Sequence, residues 1–186
     1  MNINWVLADD VVIDPTVDLA RIKDTGSFWG SWKTWRAYNT DNVVCHDTKK
    51  AGELIKRAFH AACNFYIPNS LYLTLDRPKG VRLYEGDFLG HEVDNKDELV
   101  AINLAATVSD IVLLLGFDWS PKEPKPDQLQ EVKARNYRGL VLQAIKSKPE
   151  VQWVLVDHPK ALTTELTDLD NVSTDTLDNV LKLLNV

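Results

Sequence analysis

Cysteine is scarce in this chain: only Cys45 and Cys63 are present. They form no C-x-x-C pair, which excludes a zinc knuckle or a redox dithiol. Two such thiols read as small core residues in a reducing compartment. Basic charge is also short. Lys and Arg number 21 against 27 Asp and Glu, a formal net charge of −6. General nucleic acid binding is excluded, because it rests on clustered cations. No apolar run reaches the ~18 residues of a membrane span. The start, Met1-Asn2-Ile3-Asn4-Trp5, has neither the basic nor the apolar part of a signal peptide. The expected location is therefore the cytoplasm. Glycine motifs are missing too: the chain has no G-x-G-x-x-G, no G-x-x-x-x-G-K-[ST], no G-x-S-x-G and no H-E-x-x-H. The first apolar run leads into Ala8-Asp9-Asp10-Val11 without any glycine, which excludes a conventional dinucleotide turn at that point.

What remains is an ordinary globular balance. Hydrophobic residues make up 45% of 186 positions, enough for one domain spanning residues 1–186 with a core that needs no disulfide or metal. Five apolar runs read as strands: Trp5–Ala8, Val43–Cys45, Val81–Tyr84, Ile111–Leu115 and Val151–Val156. The fourth is apolar on both faces, as a central strand covered by helices must be. Helical periodicity fills Lys50–Cys63, Asp97–Val108, Asp127–Ser147 and Asp175–Leu184, with Asp47 or Thr48 placed to cap the first of these. Strands alternating with helices predict an α/β, Rossmann-like domain: a mostly parallel five-stranded sheet with helices on both faces. The fold class favours the strand order 3-2-1-4-5, with a crevice where the winding reverses.

Each strand ends in an acid, a histidine or both. After the first come Asp9 and Asp10, after the second His46 and Asp47, and after the third Glu85. The fourth is followed by Gly116-Phe117-Asp118 and the fifth by Asp157 and His158. In a parallel sheet these tips share one edge, where open α/β sheets bind ligands. Carboxylates there can accept from sugar hydroxyls, hold a divalent cation or serve as a base. They can equally cap the helices that follow. Asp118, His158 and His46 are the candidate catalytic residues, histidine being the side chain that titrates near neutrality. No metal-ligand set is assigned.

Between the first two runs lies Gly26-Ser-Phe-Trp-Gly-Ser-Trp-Lys-Thr-Trp-Arg-Ala-Tyr38. On a helix, its Trp29, Trp32 and Trp35 share a face. Ser31, Trp32 and Arg36 would then grip a base, sugar or phosphate. The alternatives are a hydrophobic plug over the sheet and a partner interface.

Leu99–Asp118, reading LVAINLAATVSDIVLLLGFD, resembles the helix–strand unit of bacterial sialyltransferases and the related motility-accessory and pterin pyrophosphokinase-like proteins. Tyr137–Val156 is similar to their next helix and strand, so the resemblance covers about a third of the chain. It implies a Rossmann-like core and Asp118 as a ligand-facing residue. The chain departs from that group where a glycine-rich loop should follow the first strand. Overall the small, acidic, Trp-rich sequence is similar to phage-encoded proteins, whose location would be host cytoplasm or virion. Three functions stay open. One is a non-catalytic binding or assembly module with a protein partner or self-association. Another is a glycosyltransferase-like enzyme using a nucleotide sugar or sugar phosphate. The last is a small-ligand sponge or sensor.

Overall fold

The computed structural model describes residues 1–9, 11, 18–85, 96–117, 128–157 and 164–185. The described strands are β1 (Ile3–Leu7), β2 (Ser27–Ser31), β3 (Asn42–Val44), β4 (Asn64–Pro68), β5 (Arg82–Tyr84), β6 (Ile111–Leu115), β7 (Gln152–Val156) and β8 (Val172–Asp175). They form one sheet in the order β5-β4-β3-β2-β1-β6-β7-β8, and every pairing is parallel. The helices are α1 (Asp18–Ile22), α2 (Trp32–Tyr38), α3 (Thr48–Lys56), α4 (Asn69–Thr74), α5 (Lys96–Ala106), α6 (Gln128–Lys146), α7 (Thr164–Thr167) and α8 (Leu177–Leu183). A 3-10 turn covers Phe59–Ala61.

The α/β class holds, and the five anticipated strands keep their relative order. The sheet has eight strands, however, because β2, β4 and β8 interleave with or extend the five. The Trp-rich segment is also divided: Trp29 lies on β2, whereas Trp32 and Trp35 lie on α2. The three tryptophans therefore do not share a helical face. The expected helix Lys50–Cys63 stops at Lys56, and the 3-10 turn takes up its later part. Asp47 caps that helix, accepting from the Lys50 amide at 2.6 Å.

The centre of the sheet is β1, β6 and β7. Trp5, Val6, Leu7, Val112, Leu114, Trp153 and Leu155 are fully buried, as parallel strands covered on both faces should be. The register puts Val6, Trp29 and Val44 on one face, where they join the core that includes α5. Val43 and Phe65 lie on the other face and join Leu54 of α3, Leu71 of α4 and the indoles of Trp32 and Trp35. Trp35 meets Phe59 edge-on at 4.2 Å between ring centres. Trp35 and Trp32 thus anchor this second core, while Trp29 is 4% exposed in the first.

The chain winds outward from β1 to β5, returns through α5, and winds the other way from β6 to β8. Right-handed crossovers place helices of the two directions on opposite faces. Because α5 carries the chain back from the edge to the centre, it packs across β1, β2 and β3. Its apolar residues Leu99, Val100, Ala101 and Ile102 are buried consecutively, which an amphipathic surface helix would not tolerate.

The winding reverses between β1 and β6. Gly116, just past β6, has φ +76, and a Cβ there would stand 2.2 Å from Val11 Cγ2. Both the left-handed backbone and the lack of space require glycine. Gly116→Ala should therefore lower stability by about 2–4 kcal/mol, measured as a fall in the urea midpoint at unchanged slope. An unchanged midpoint would mean that Val11 does not seal this reversal.

Candidate functional site

Because the sheet is wholly parallel, the strand tips do share one edge. Their spacing separates them nonetheless. At ~4.8 Å per strand, Glu85 beyond β5 lies about 19 Å from the β1 tip and Asp157 beyond β7 about 10 Å away on the other side. Glu85 is exposed. Asp157 adopts φ +54 and accepts from the Leu177 amide at 3.2 Å, holding the start of α8. Asp47 is committed to α3. Arg36 is exposed on the last turn of α2. Trp32 lies under the Lys50 ammonium, 4.4 Å from the ring centre. Asp10, Asp118 and His158 lie outside the described residues.

Asp9, Ser31 and His46 do come together, over the tips of β1, β2 and β3. The Asp9 carboxylate is 8% exposed. Its Oδ1 accepts from the Ser31 hydroxyl and from Thr34 Oγ1 at 3.3 Å, and its Oδ2 pairs with Lys33 Nζ at 3.0 Å. Ser31 ends β2 and caps α2, accepting from the Lys33 amide at 3.0 Å. A charge this enclosed is tolerable only because each oxygen is bonded.

Beside it stands the first turn of α5, with two buried acids, Asp97 and Glu98. Glu98 Oε1 accepts from the Asp9 amide, and Glu98 Oε2 accepts from the Tyr137 hydroxyl of α6 at 2.6 Å. Burial, reinforced by the Glu98 and Asp9 charges, pushes the Tyr137 phenol well above its ordinary value, so it remains a donor. Asp97 Oδ1 accepts from the His46 amide at 2.8 Å and lies 2.6 Å from His46 Nδ1. The hydrogen bond to Asp97 raises the imidazole above its ordinary 6.5, against the opposing effect of burial. With Nδ1 held, the ring keeps Nε2 for other contacts, and its side chain is 39% exposed. An imidazole oriented by a carboxylate and open at Nε2 can deliver or accept a proton.

The sequence reading missed Thr34, Asp97, Glu98 and Tyr137. The available signal was Asp97-Glu98 heading an otherwise apolar helix: acids at a helix start are ordinary, but burial of that first turn obliges them to find partners. The cysteines take no part in chemistry here. Burial foremost pushes both thiols up to about 12, far from a reactive thiolate. Among the described residues, no three His, Cys, Asp or Glu side chains gather as a metal site, and no helix is long and apolar enough to cross a membrane.

No protein-family model matches the chain, and no curated protein matches it.

The His46–Asp97 pair has a measurable consequence. The folded imidazole holds its proton more tightly than the unfolded one. The stabilisation is therefore complete below about pH 6.5 and is lost as pH rises through the raised folded value. Asp97→Asn keeps an acceptor for the His46 amide but removes the charge. The imidazole midpoint, followed by proton NMR, should drop to 6.5 or below, and the loss of stability on the alkaline side should flatten. A midpoint that does not move would remove Asp97 as the cause.

Proposed function

We propose that this protein binds a small phosphorylated ligand, a nucleotide sugar or sugar phosphate, over the tips of β1, β2 and β3, with His46 as the proton donor or acceptor of a transferase-type reaction. The observation that carries this reading is the imidazole held at Nδ1 by a buried carboxylate and open at Nε2, on a rim that also bears Lys33, Lys50 and Lys96. Lys33 and Lys50 already face Asp9 and Glu53, so an anionic ligand would be held by short-range charge-assisted hydrogen bonds rather than drawn in by a net positive field. A proton held by the raised imidazole suits donation to a leaving oxygen.

A specific observation favours a second reading, the non-catalytic module. Val11 fills the reversal between β1 and β6, and the acids at the tips of β3 and β7 and on the first turn of α5 bond main-chain amides. A rim built only to fasten helices would look the same. Binding through the Trp-rich segment has less support, because Trp29 and Trp35 are packed into the two cores.

Thermal shift against UDP, CMP, ADP, UDP-glucose and glucose 1-phosphate, with and without Mg²⁺, separates these readings. A ligand present at a hundred times its Kd adds ~2.7 kcal/mol, a rise of roughly 5–10 °C for a domain of this size. Lys33→Ala should weaken the responding ligand about tenfold, the loss of one charge-assisted hydrogen bond. His46→Asn should keep the shift and abolish turnover. A shift with no turnover in the parent protein would leave a sensor. No shift with any probe would leave the module.

A further inference from the structure

At the opposite, amino-terminal edge of the sheet a cleft of about 640 Å3 is open to solvent. This volume lies within the range of small-ligand sites. Its floor is formed by the starts of successive strands. The register aligns Asn4, Asn42 and Asn64 with Trp29, Tyr66 and Arg82 on the face that α5 covers only as far as β3. Asparagine is depleted in strands, yet here it occupies three of four successive ones, β1, β3 and β4, two of these residues being only 5% exposed.

Part of that row serves the fold. Trp29 Nε1 donates to Asn4 Oδ1 at 3.1 Å, Asn42 Nδ2 to the Phe28 carbonyl at 3.3 Å, and Asn64 Nδ2 to Asn42 Oδ1 at 2.9 Å. The outer part is not consumed in this way. No hydrogen bond joins the Tyr66 hydroxyl, the Arg82 guanidinium or the side-chain Oδ1 of Asn64 to another described residue. Tyr66 is half-buried, its ring 5.2 Å from that of Trp29 and 5.8 Å from the Arg82 guanidinium carbon. Lys23 and Asp24 stand on the rim.

Most small-molecule pockets are largely apolar with a few polar groups. This one reverses the proportion: one aromatic platform is set among amides, a guanidinium and a carboxylate. The complementary ligand is polar over most of its surface and has one flat patch of C–H groups. We propose that this cleft is a saccharide site, separate from the carboxyl-edge rim. It takes a hexose-sized ring against Tyr66, with hydroxyls meeting Asn64, Arg82 and Asp24. A nucleobase fits less well. Trp29 and Arg82 flank the Tyr66 ring at 5.2 and 5.8 Å, short of the about 7 Å that any inserted ring requires, so a base finds no face to stack on, whereas a saccharide meets the outer edge and hydroxyl of Tyr66.

The test is saturation-transfer NMR on the full chain with maltotriose, N,N′-diacetylchitobiose, galacturonic acid and, for comparison, adenosine. Each is used at about 5 mM, enough to occupy a millimolar site. At least one saccharide should receive saturation on its ring C–H protons. Tyr66→Ala should weaken it about tenfold or more, and His46→Asn at the other edge should leave it unchanged. Because Tyr66 also packs on Trp29, Arg82→Gln serves as the variant that spares the core, and it should weaken the responding sugar as well. Silence from all the saccharides, a response from adenosine alone, or a saccharide signal equal in parent, Tyr66→Ala and Arg82→Gln would overturn the assignment.

Discussion

The first turn of α5 holds the carboxyl edge together. Two adjacent acids, Asp97 and Glu98, are buried at the point where three segments of chain meet. Burying a carboxylate is costly, and burying two in sequence adds their repulsion. The structure offsets this by giving each a different set of donors. Glu98 is bonded by the Asp9 amide and the Tyr137 hydroxyl, and Asp97 by the amide and ring of His46. The positive end of α5 adds to both. Through these bonds the tip of β1, the tip of β3 and helix α6 are fastened to one helix start. The position of Asp9, and with it the start of α2, follows from where Glu98 holds the Asp9 amide.

This arrangement explains why polar groups concentrate over β1 to β3 rather than at the reversal itself. In an open α/β sheet the crevice at the reversal is the usual ligand position. Here the loop after β1 turns back, with the Val11 amide donating to the Ala8 carbonyl at 3.2 Å. Val11 then lies against Gly116, and Tyr38 of α2 holds the Val11 carbonyl at 2.7 Å. A glycine-rich turn would leave that crevice open for phosphate. The branched side chain fills it, and the polar groups stand one to two strands away, beneath the α5 start.

Much of the fold could be read from the residues, and the omissions have physical reasons. Strands β1, β6 and β7 are continuous apolar runs and read directly. Strand β2, Ser-Phe-Trp-Gly-Ser, mixes glycine and serine with aromatics, and its tryptophan falls three residues before Trp32. A spacing shared by a strand end and a helix start imitates a helical stripe. Strand β4, Asn-Phe-Tyr-Ile-Pro, follows the 3-10 turn so closely that its apolar residues continue the preceding helix pattern. Strand β8, Val-Ser-Thr-Asp, lies at the sheet edge with two of its four residues exposed, so no apolar signal remains. That the strand tips share one edge was legible because parallel pairing alone requires it, whereas the distance between their acids was not. Nor were their separate duties. Whether an aspartate caps its own helix, as Asp47 does, holds a distant helix start, as Asp157 does, or meets hydroxyls across the sheet, as Asp9 does, depends on which helix start lies opposite.

The same reasoning connects the two edges of the sheet. A parallel strand exposes main-chain groups at both ends, and each end needs polar partners. At the carboxyl edge the answer is charged: aspartates and glutamates meet amides and hydroxyls, and the helix starts favour negative charge there. At the amino edge carboxylates serve as well, Asp41 accepting from the Phe28 amide at 2.9 Å and Asp110 from the Asn2 amide at 2.6 Å, but most of the row is uncharged. Asparagine can both donate and accept, and it occupies the starts of β1, β3 and β4. Carboxylates thus bond main-chain amides at both edges, and the amino edge adds a row of carboxamides that ties neighbouring strands together. The amide row that satisfies the strand starts is also what makes the floor of the amino-edge cleft polar, and the charges of Lys23, Asp24 and Arg82 stand around it rather than within the row.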